Sequence, residues 1–280
     1  MLLARMIAHG SVALPPPSAS TARHAPARSA SRRATCQLLP ALAAVALLPQ
    51  SAVASEDPLV KLYFGAGCFW HVQHELVLAE SALLGRSGVE FTAVTGYAGG
   101  TRVASGKLAG PAGAKVCYHN SQGVADYGKL GHAEAVQVEV PASQVAAISK
   151  KYFSLFGAKG VRHDPQDRGG EYRSVLGLPG GEAAPLCKII AAAAEPTPMR
   201  LAPGVGDEGD TLGAKTVLVY DSDRFPFYPA ELYHQFHNDF MGPKYGSAYN
   251  NLLPKLYAQK KVGLVGCPDL DPATLVEGRV

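Results

Sequence analysis

The segment Gly65-Ala66-Gly67-Cys68-Phe69-Trp70 constrains this chain more than any other stretch. Ahead of it, Val60 to Phe64 reads as a strand. Behind it, Phe69 to Leu84 carries Val72, Leu76 and Ala79 at helical spacing. The glycines let the backbone turn sharply between the two. Cys68 therefore stands at a helix start, where unpaired N–H groups and the helix dipole favour a thiolate. Phe69 and Trp70, the single Trp of the chain, offer an apolar wall for a small substrate group. Taken alone, the motif is read more simply as a buried structural cysteine beside core aromatics, because a free Cys is more often inert core than nucleophile.

The rest of the chain supplies short strands and helices without strict alternation. Val89 to Val94 and Ala135 to Val140 read as strands, as do Tyr172 to Leu178 and Thr216 to Tyr220. Ser143 to Phe156 follows Pro141 as a helix, Gly181 to Ala194 is an Ala-rich helix, and Pro229-Ala230-Glu231 opens a last helix through Phe240. This mixture predicts an α+β fold: a single domain with a mixed β-sheet and packed helices. The Gly- and Ala-rich stretch from Gly99 to Leu130 reads as surface loop.

Composition narrows the function classes. The net charge is +3, but residues 1–54 hold five arginines and no Asp or Glu; without them the remaining 226 residues carry −2. Nucleic acid is not an expected partner for a body without a basic excess. No apolar run is long enough to span a bilayer as a helix, so no stable membrane insertion is expected of the mature form. Residues 1–54 read as a bipartite targeting segment. An acid-free, Ala-, Ser- and Arg-rich stretch is followed by Arg32-Arg33, an apolar run from Leu38 to Leu48, and Ala52-Val53-Ala54 ahead of Ser55. Such an address is similar to that of thylakoid-lumen proteins of the chloroplast; the alternative is a single transit peptide to the stroma or the mitochondrion. Residues 55–257 are then the expected catalytic domain and 258–280 a C-terminal tail.

Four further segments change the weight of the Cys68 motif: Thr95-Gly96-Tyr97-Ala98-Gly99-Gly100, Gly131-His132-Ala133-Glu134-Ala135-Val136, Asp167-Arg168-Gly169-Gly170-Glu171-Tyr172-Arg173-Ser174 and Tyr233-His234-Gln235. In this order the set resembles the A-type family of peptide methionine-S-sulfoxide reductases, over roughly Leu62 to Phe240. Each motif alone is weak, but the series is specific. The resemblance implies that Cys68 is the nucleophile attacking the sulfoxide sulfur. Glu134 becomes the acid for the oxygen, with a carboxyl pKa raised by burial. Asp167 and Tyr172 hold that oxygen or a water, Phe69 and Trp70 cradle the methyl group, and Tyr97 lines the substrate site. The product is methionine and a Cys68 sulfenic acid.

The same resemblance implies a resolving cysteine and a dithiol reductant, thioredoxin or similar, acting on oxidised proteins or free methionine sulfoxide. Cys267, between Gly266 and Pro268, suits the resolving role; Cys117 is the second candidate, and Cys187 reads as buried and inert. Some positions depart from the family. It usually has Gly after the Trp and an acidic residue three positions after it, where this chain has His71 and Gln73. Its sulfoxide-binding Tyr is missing ahead of Val116-Cys117, where Gly113-Ala114-Lys115 stands, and either Tyr118 or Tyr127 is left to supply the hydroxyl. One lost donor costs ~10²-fold in rate. The rival reading is an impaired relative that senses oxidised thiols or thioethers, or binds metal. His71 with His74, and His234 with His237, repeat an i, i+3 spacing, but no carboxylate or Cys pair completes a ligand set. No metal, flavin or nucleotide cofactor is therefore expected. As an imidazolium one turn from Cys68, His71 would lower the thiol pKa further.

Overall fold

The computed structural model describes residues 57–105 and 113–268. The targeting segment at 1–54 and the tail beyond Pro268 lie outside the described residues. Strand β1 (Leu59–Gly65) is followed at once by helix α1 (Phe69–Leu84), with the bounds that the glycines and the helical period predict. Then come β2 (Val94–Ala98), β3 (Ala133–Pro141), α2 (Val145–Ser154), β4 (Val175–Leu178) and α3 (Pro185–Ala194). Strands β5 (Arg200–Pro203), β6 (Thr216–Asp221) and β7 (Tyr228–Pro229) precede the short helices α4 (Ser247–Asn250) and α5 (Leu252–Ala258).

The strands form one mixed seven-stranded sheet in the order β5-β6-β4-β1-β3-β2-β7, so the expected α+β class holds. β1 pairs antiparallel with both β3 and β4, while β4, β6 and β5 run parallel to one another. Its central place explains why the C-terminal half of β1 is buried on both faces while its first residues are not. One face packs Leu62, Phe64 and Val136 against Val72, Leu76, Tyr152, Phe153 and Ile190 of α1, α2 and α3. The other packs Tyr63, Ala135, Val175 and Tyr220. Helix α1 ends where the period does: Gly85 adopts a left-handed conformation (φ 66°) and its N–H returns to the Glu80 carbonyl.

Two expected elements are different in the structure. Val89 to Val94 is not a strand: Ser87 and Glu90 close a capping box on a 3₁₀ turn over Gly88–Glu90, and the strand begins at Val94. Pro229 to Phe240 is not a helix. After β7 the chain makes a 3₁₀ turn over Leu232–His234 and then extends at Gln235. The Gln235 side chain accepts from the Thr95 N–H at 3.1 Å and donates to the Thr95 carbonyl at 3.0 Å and the Ala230 carbonyl at 3.1 Å, continuing the edge of β2. Phe236 next to it is held at φ 54°, its N–H donating to Gln73 Oε1 at 2.6 Å. Four backbone groups bound in this way outweigh local helix propensity.

Gln73, the departure from the family pattern, is thus a buried structural link. Its Nε2 donates to the Ala93 carbonyl at 3.0 Å and to Gln235 Oε1 at 3.2 Å. A carboxylate has no proton for those two acceptors. Gln73→Glu is accordingly expected to destabilise the protein by about 1–3 kcal/mol at pH 7. The loss should shrink toward pH 5 as the new carboxyl takes up a proton. Urea unfolding at both pH values measures it, and equal stability would show that the link is dispensable.

Candidate active site

Cys68 is the N-cap residue of α1, free and partly buried. Gly67 before it has φ 81°, and an added Cβ there would lie 3.5 Å from both Arg162 and Asp167, so glycine carries the turn. Gly65 also has no room: a Cβ would come 2.4 Å from the Glu134 carbonyl of the neighbouring strand. The first N–H groups of α1 go to carboxyl groups. The Cys68 N–H donates to Asp167 Oδ2 at 3.1 Å and the Phe69 N–H to Glu134 Oε2 at 2.8 Å. Two sequence-predicted residues that lie 65 and 99 positions from these donors thereby meet at one helix end.

This arrangement reverses the expected electrostatics. Burial, together with the nearby carboxyl groups of Glu134 and Asp239, pushes the Cys68 thiol well above its ordinary value, and only the Trp70 N–H opposes them. The helix start gives a thiolate little support, because its first two amides serve Asp167 and Glu134 and the Trp70 N–H is left for the sulfur. His71 does not help either: burial and the adjacent His163 lower its pKa to about 4, so it is neutral at pH 7. Glu134, only 2% exposed on β3, behaves as expected of an acid. Burial first, then the Asp167 charge, raise its pKa to about 8, against the hydrogen bonds it accepts. Asp167 is also raised, by burial and by Asp164.

The remaining residues form an aromatic box. Phe69 faces Tyr97, Tyr118 and His234, with ring centroids 6.0, 6.3 and 5.3 Å away. Trp70 stacks on His237 at 4.1 Å and meets the edge of the exposed Phe240 at 5.1 Å. Both rings are therefore covered in this state. Tyr97 pairs with Glu134 across β2 and β3 but is fully buried, and its hydroxyl donates to Glu231 Oε2 at 2.7 Å; it supports the wall from behind. Tyr127 stacks on Tyr97 at 4.7 Å and its hydroxyl reaches Glu134 Oε1 at 3.2 Å. Tyr172 ends the 3₁₀ turn Gly170–Tyr172, and its carbonyl accepts from the Gly67 N–H at 3.2 Å.

Two residues of the site went unnoticed in the sequence. Arg162, 4% exposed, donates to the carbonyls of Tyr172 and Asp167 and pairs with Asp210 at 3.0 Å, which ties the Asp167–Tyr172 loop to the Gly67 turn. Glu231 accepts from Tyr97 and from the Tyr118 N–H at 2.8 Å. The stretch from Gly99 to Leu130 is not simply surface loop, since Cys117 and Tyr127 are fully buried and Ala104 bridges to Lys115. His119 fastens it, with Asp126 at 2.9 Å and Glu171 at 3.2 Å.

Cys267 does not lie free in a tail. It forms a disulfide with Cys117, and both sulfurs are within 4.8 Å of a Glu231 carboxyl oxygen. Cys187 is buried on α3, as expected. The histidine pairs separate: His74 stacks on Tyr245 at 3.7 Å, whereas His71 stacks on His163 at 3.9 Å.

The family model described as "Peptide methionine sulfoxide reductase" matches residues 60–178. The chain is 34% identical over 131 residues to the peptide methionine sulfoxide reductase MsrA of Methanoculleus marisnigri; the match covers 44% of this chain and 63% of that protein's length. Among solved structures it is similar to methionine sulfoxide reductase A of Corynebacterium diphtheriae (19% identity, TM-score 0.37, 63% of this chain and 72% of that one). It is similar also to reduced Mxr1 of Saccharomyces cerevisiae (21% identity, TM-score 0.38, 63% and 82%). These two likenesses are too distant to carry an argument. By its motifs and by the sequence match, the region from residue 60 to residue 178 is similar to the peptide methionine sulfoxide reductase family, and the match spans a little under two thirds of the length of the curated relative.

Proposed function

We propose that the protein reduces methionine-S-sulfoxide, free or in proteins, to methionine. The observation that carries this reading is the pairing of a cysteine nucleophile with a buried, protonated carboxyl group at one helix start. With a pKa near 8, Glu134 holds its proton at neutral pH and can give it to a sulfoxide oxygen. The Cys68 thiol passes its own proton to the carboxylate so formed while its sulfur attacks the sulfoxide sulfur, and the oxygen then passes to the cysteine sulfur as the sulfoxide S–O bond breaks. Two electrons leave the cysteine sulfur, the sulfoxide sulfur is reduced to the thioether, and Cys68 becomes a sulfenic acid. Atoms and charge balance without an outside proton.

Asp167 and Tyr172 hold the oxygen or a water beside Cys68, and Phe69 and Trp70 receive the methyl group once His237 and Phe240 uncover the Trp70 ring. Of the two tyrosines that could replace the missing hydroxyl, Tyr127 orients Glu134, and Tyr118, which is partly exposed, is the one a substrate can reach. Recycling requires a free thiol at Cys117 or Cys267, hence prior reduction of their disulfide by a dithiol such as thioredoxin. No observation favours an impaired sensing relative, because Gln73 points away from the site into a satisfied network. Given dithiothreitol and both epimers of a blocked methionine sulfoxide, the protein is expected to consume the S epimer alone. Consumption of neither epimer by folded protein would overturn the reading.

A further inference from the structure

His71, His163 and Asp239 come from three separate segments, α1, the loop after α2 and the stretch after the Leu232–His234 turn, and no step of the reaction uses their side chains. Their ligand atoms all lie within 4.8 Å of one another. His163 Nε2 is 3.5 Å from Asp239 Oδ2, and the His163 side chain is 40% exposed, which leaves an approach from solvent. The Asp239 side chain is 4% exposed, and its Oδ1 accepts from the Phe240 N–H at 2.7 Å. Its Oδ2 has no hydrogen-bond partner among the described residues; the Tyr245 hydroxyl is close, without an aligned bond to it. A buried carboxylate oxygen left in this state costs free energy unless a cation completes it.

We propose that His71, His163 and Asp239 form a binding site for a divalent transition-metal ion, with Zn²⁺ the best fit. Two imidazole nitrogens and one carboxylate oxygen are the donor set of an open zinc site, with water in the fourth position. Tetrahedral coordination at about 2.0–2.1 Å places donor atoms about 3.3 Å apart. The His163–Asp239 separation already meets that spacing. The two imidazoles are stacked within 10° of parallel, so the exposed His163 ring must turn about its own axis for the nitrogens to converge. A bound ion would staple the segment carrying His237 and Phe240, the two covers of Trp70, to the helix that begins after Cys68. Sequence reading expected no metal because it could pair histidines only along one helix, and the partners of His71 are 92 and 168 residues away.

The test uses the full chain, stripped of metal by chelation and kept without reductant so that the Cys117–Cys267 disulfide closes that group to metal. A Cys68→Ser background removes the nearby thiol. Calorimetric titration with Zn²⁺ is expected to show one ion per chain, and Co²⁺ to give the visible bands of a tetrahedral nitrogen–oxygen site without a thiolate charge-transfer band. His163→Ala, at an exposed position that the fold does not need, should weaken binding at least about tenfold, and Asp239→Asn likewise. Absence of saturable binding below millimolar Zn²⁺, or affinity unchanged in His163→Ala, would overturn the proposal.

Discussion

Cys68→Ser is expected to abolish reduction of methionine-S-sulfoxide, to the level of the reaction without protein. The serine hydroxyl is a far weaker nucleophile, and its oxygen cannot take up the sulfoxide oxygen as a sulfenic acid does. The disulfide adds a count. With Cys117 and Cys267 bonded to each other, neither can attack the Cys68 sulfenic acid, and Cys187 is buried on α3. Without reductant, the disulfide form should therefore yield one methionine per chain and stop. Chain fully reduced beforehand and freed of reductant should yield two, because one of Cys117 and Cys267 can then condense with the Cys68 sulfenic acid and release water, and the other can displace Cys68 from that disulfide, forming the Cys117–Cys267 bond and freeing the Cys68 thiol for a second turnover. Methionine formed per chain in a quenched single-turnover assay separates the forms. More than one equivalent from the disulfide form would show that the bond between Cys117 and Cys267 does not block recycling, and turnover by Cys68→Ser would move the chemistry elsewhere.

The parts of this structure that were legible in the sequence are those with a local cause. The limits of β1 and α1 follow from Gly65, Gly67 and the period through Val72, Leu76 and Ala79, all within one helix–strand unit. The misplaced strand shows the opposite case. Val89 to Val94 has β-forming residues, yet the Ser87–Glu90 capping box turns it. The strand that replaces it contains Gly96, a poor strand residue, which is needed because a Cβ there would lie 2.2 Å from the Tyr228 carbonyl. That carbonyl belongs to a strand more than a hundred residues away, and no local rule sees it. Strand β5 ends in a proline at the sheet edge, a position that pattern reading discounts.

The site divides in the same way. Cys68, Glu134, Asp167 and Tyr172 were marked by motifs, but the direction of the Cys68 shift was not, because it depends on which carboxyl groups take the amides of α1. The expected thiolate required those amides to be free. Arg162 and Glu231 carry no motif at all. Each acts by filling a buried gap between segments distant in sequence, and a single Arg or Glu is ordinarily surface. Gln73 and His71 looked like damage to the pocket because they were read along one helix. In three dimensions Gln73 belongs to the Gln235 network and His71 to a pair with His163.

Glu134→Gln is expected to lower kcat by roughly 10²–10⁴-fold, the span of one general acid. The isosteric amide keeps an acceptor for the Phe69 N–H but has no proton to give. The pH dependence distinguishes this loss from a packing defect. In the wild type the acid form of Glu134 is present below its pKa near 8 and is lost above it, so kcat/KM should hold through neutrality and fall beyond pH 8. In the variant that alkaline limb should disappear from the small residual rate. Stability should change in the other direction. The carboxyl pKa is higher in the folded chain than the ordinary 4.5, so the folded state binds the extra proton. The stability this gives is complete below pH 4.5 and is lost as pH rises through 8, at up to about 1.4 kcal/mol for each pH unit. Glu134→Gln removes that loss, so the variant should unfold at higher urea than the wild type at pH 8.5 and show little advantage at pH 4.5. A residue that acts only by packing would lower activity and stability together at every pH; an acid held protonated by burial gives up activity while the protein gains stability in alkali.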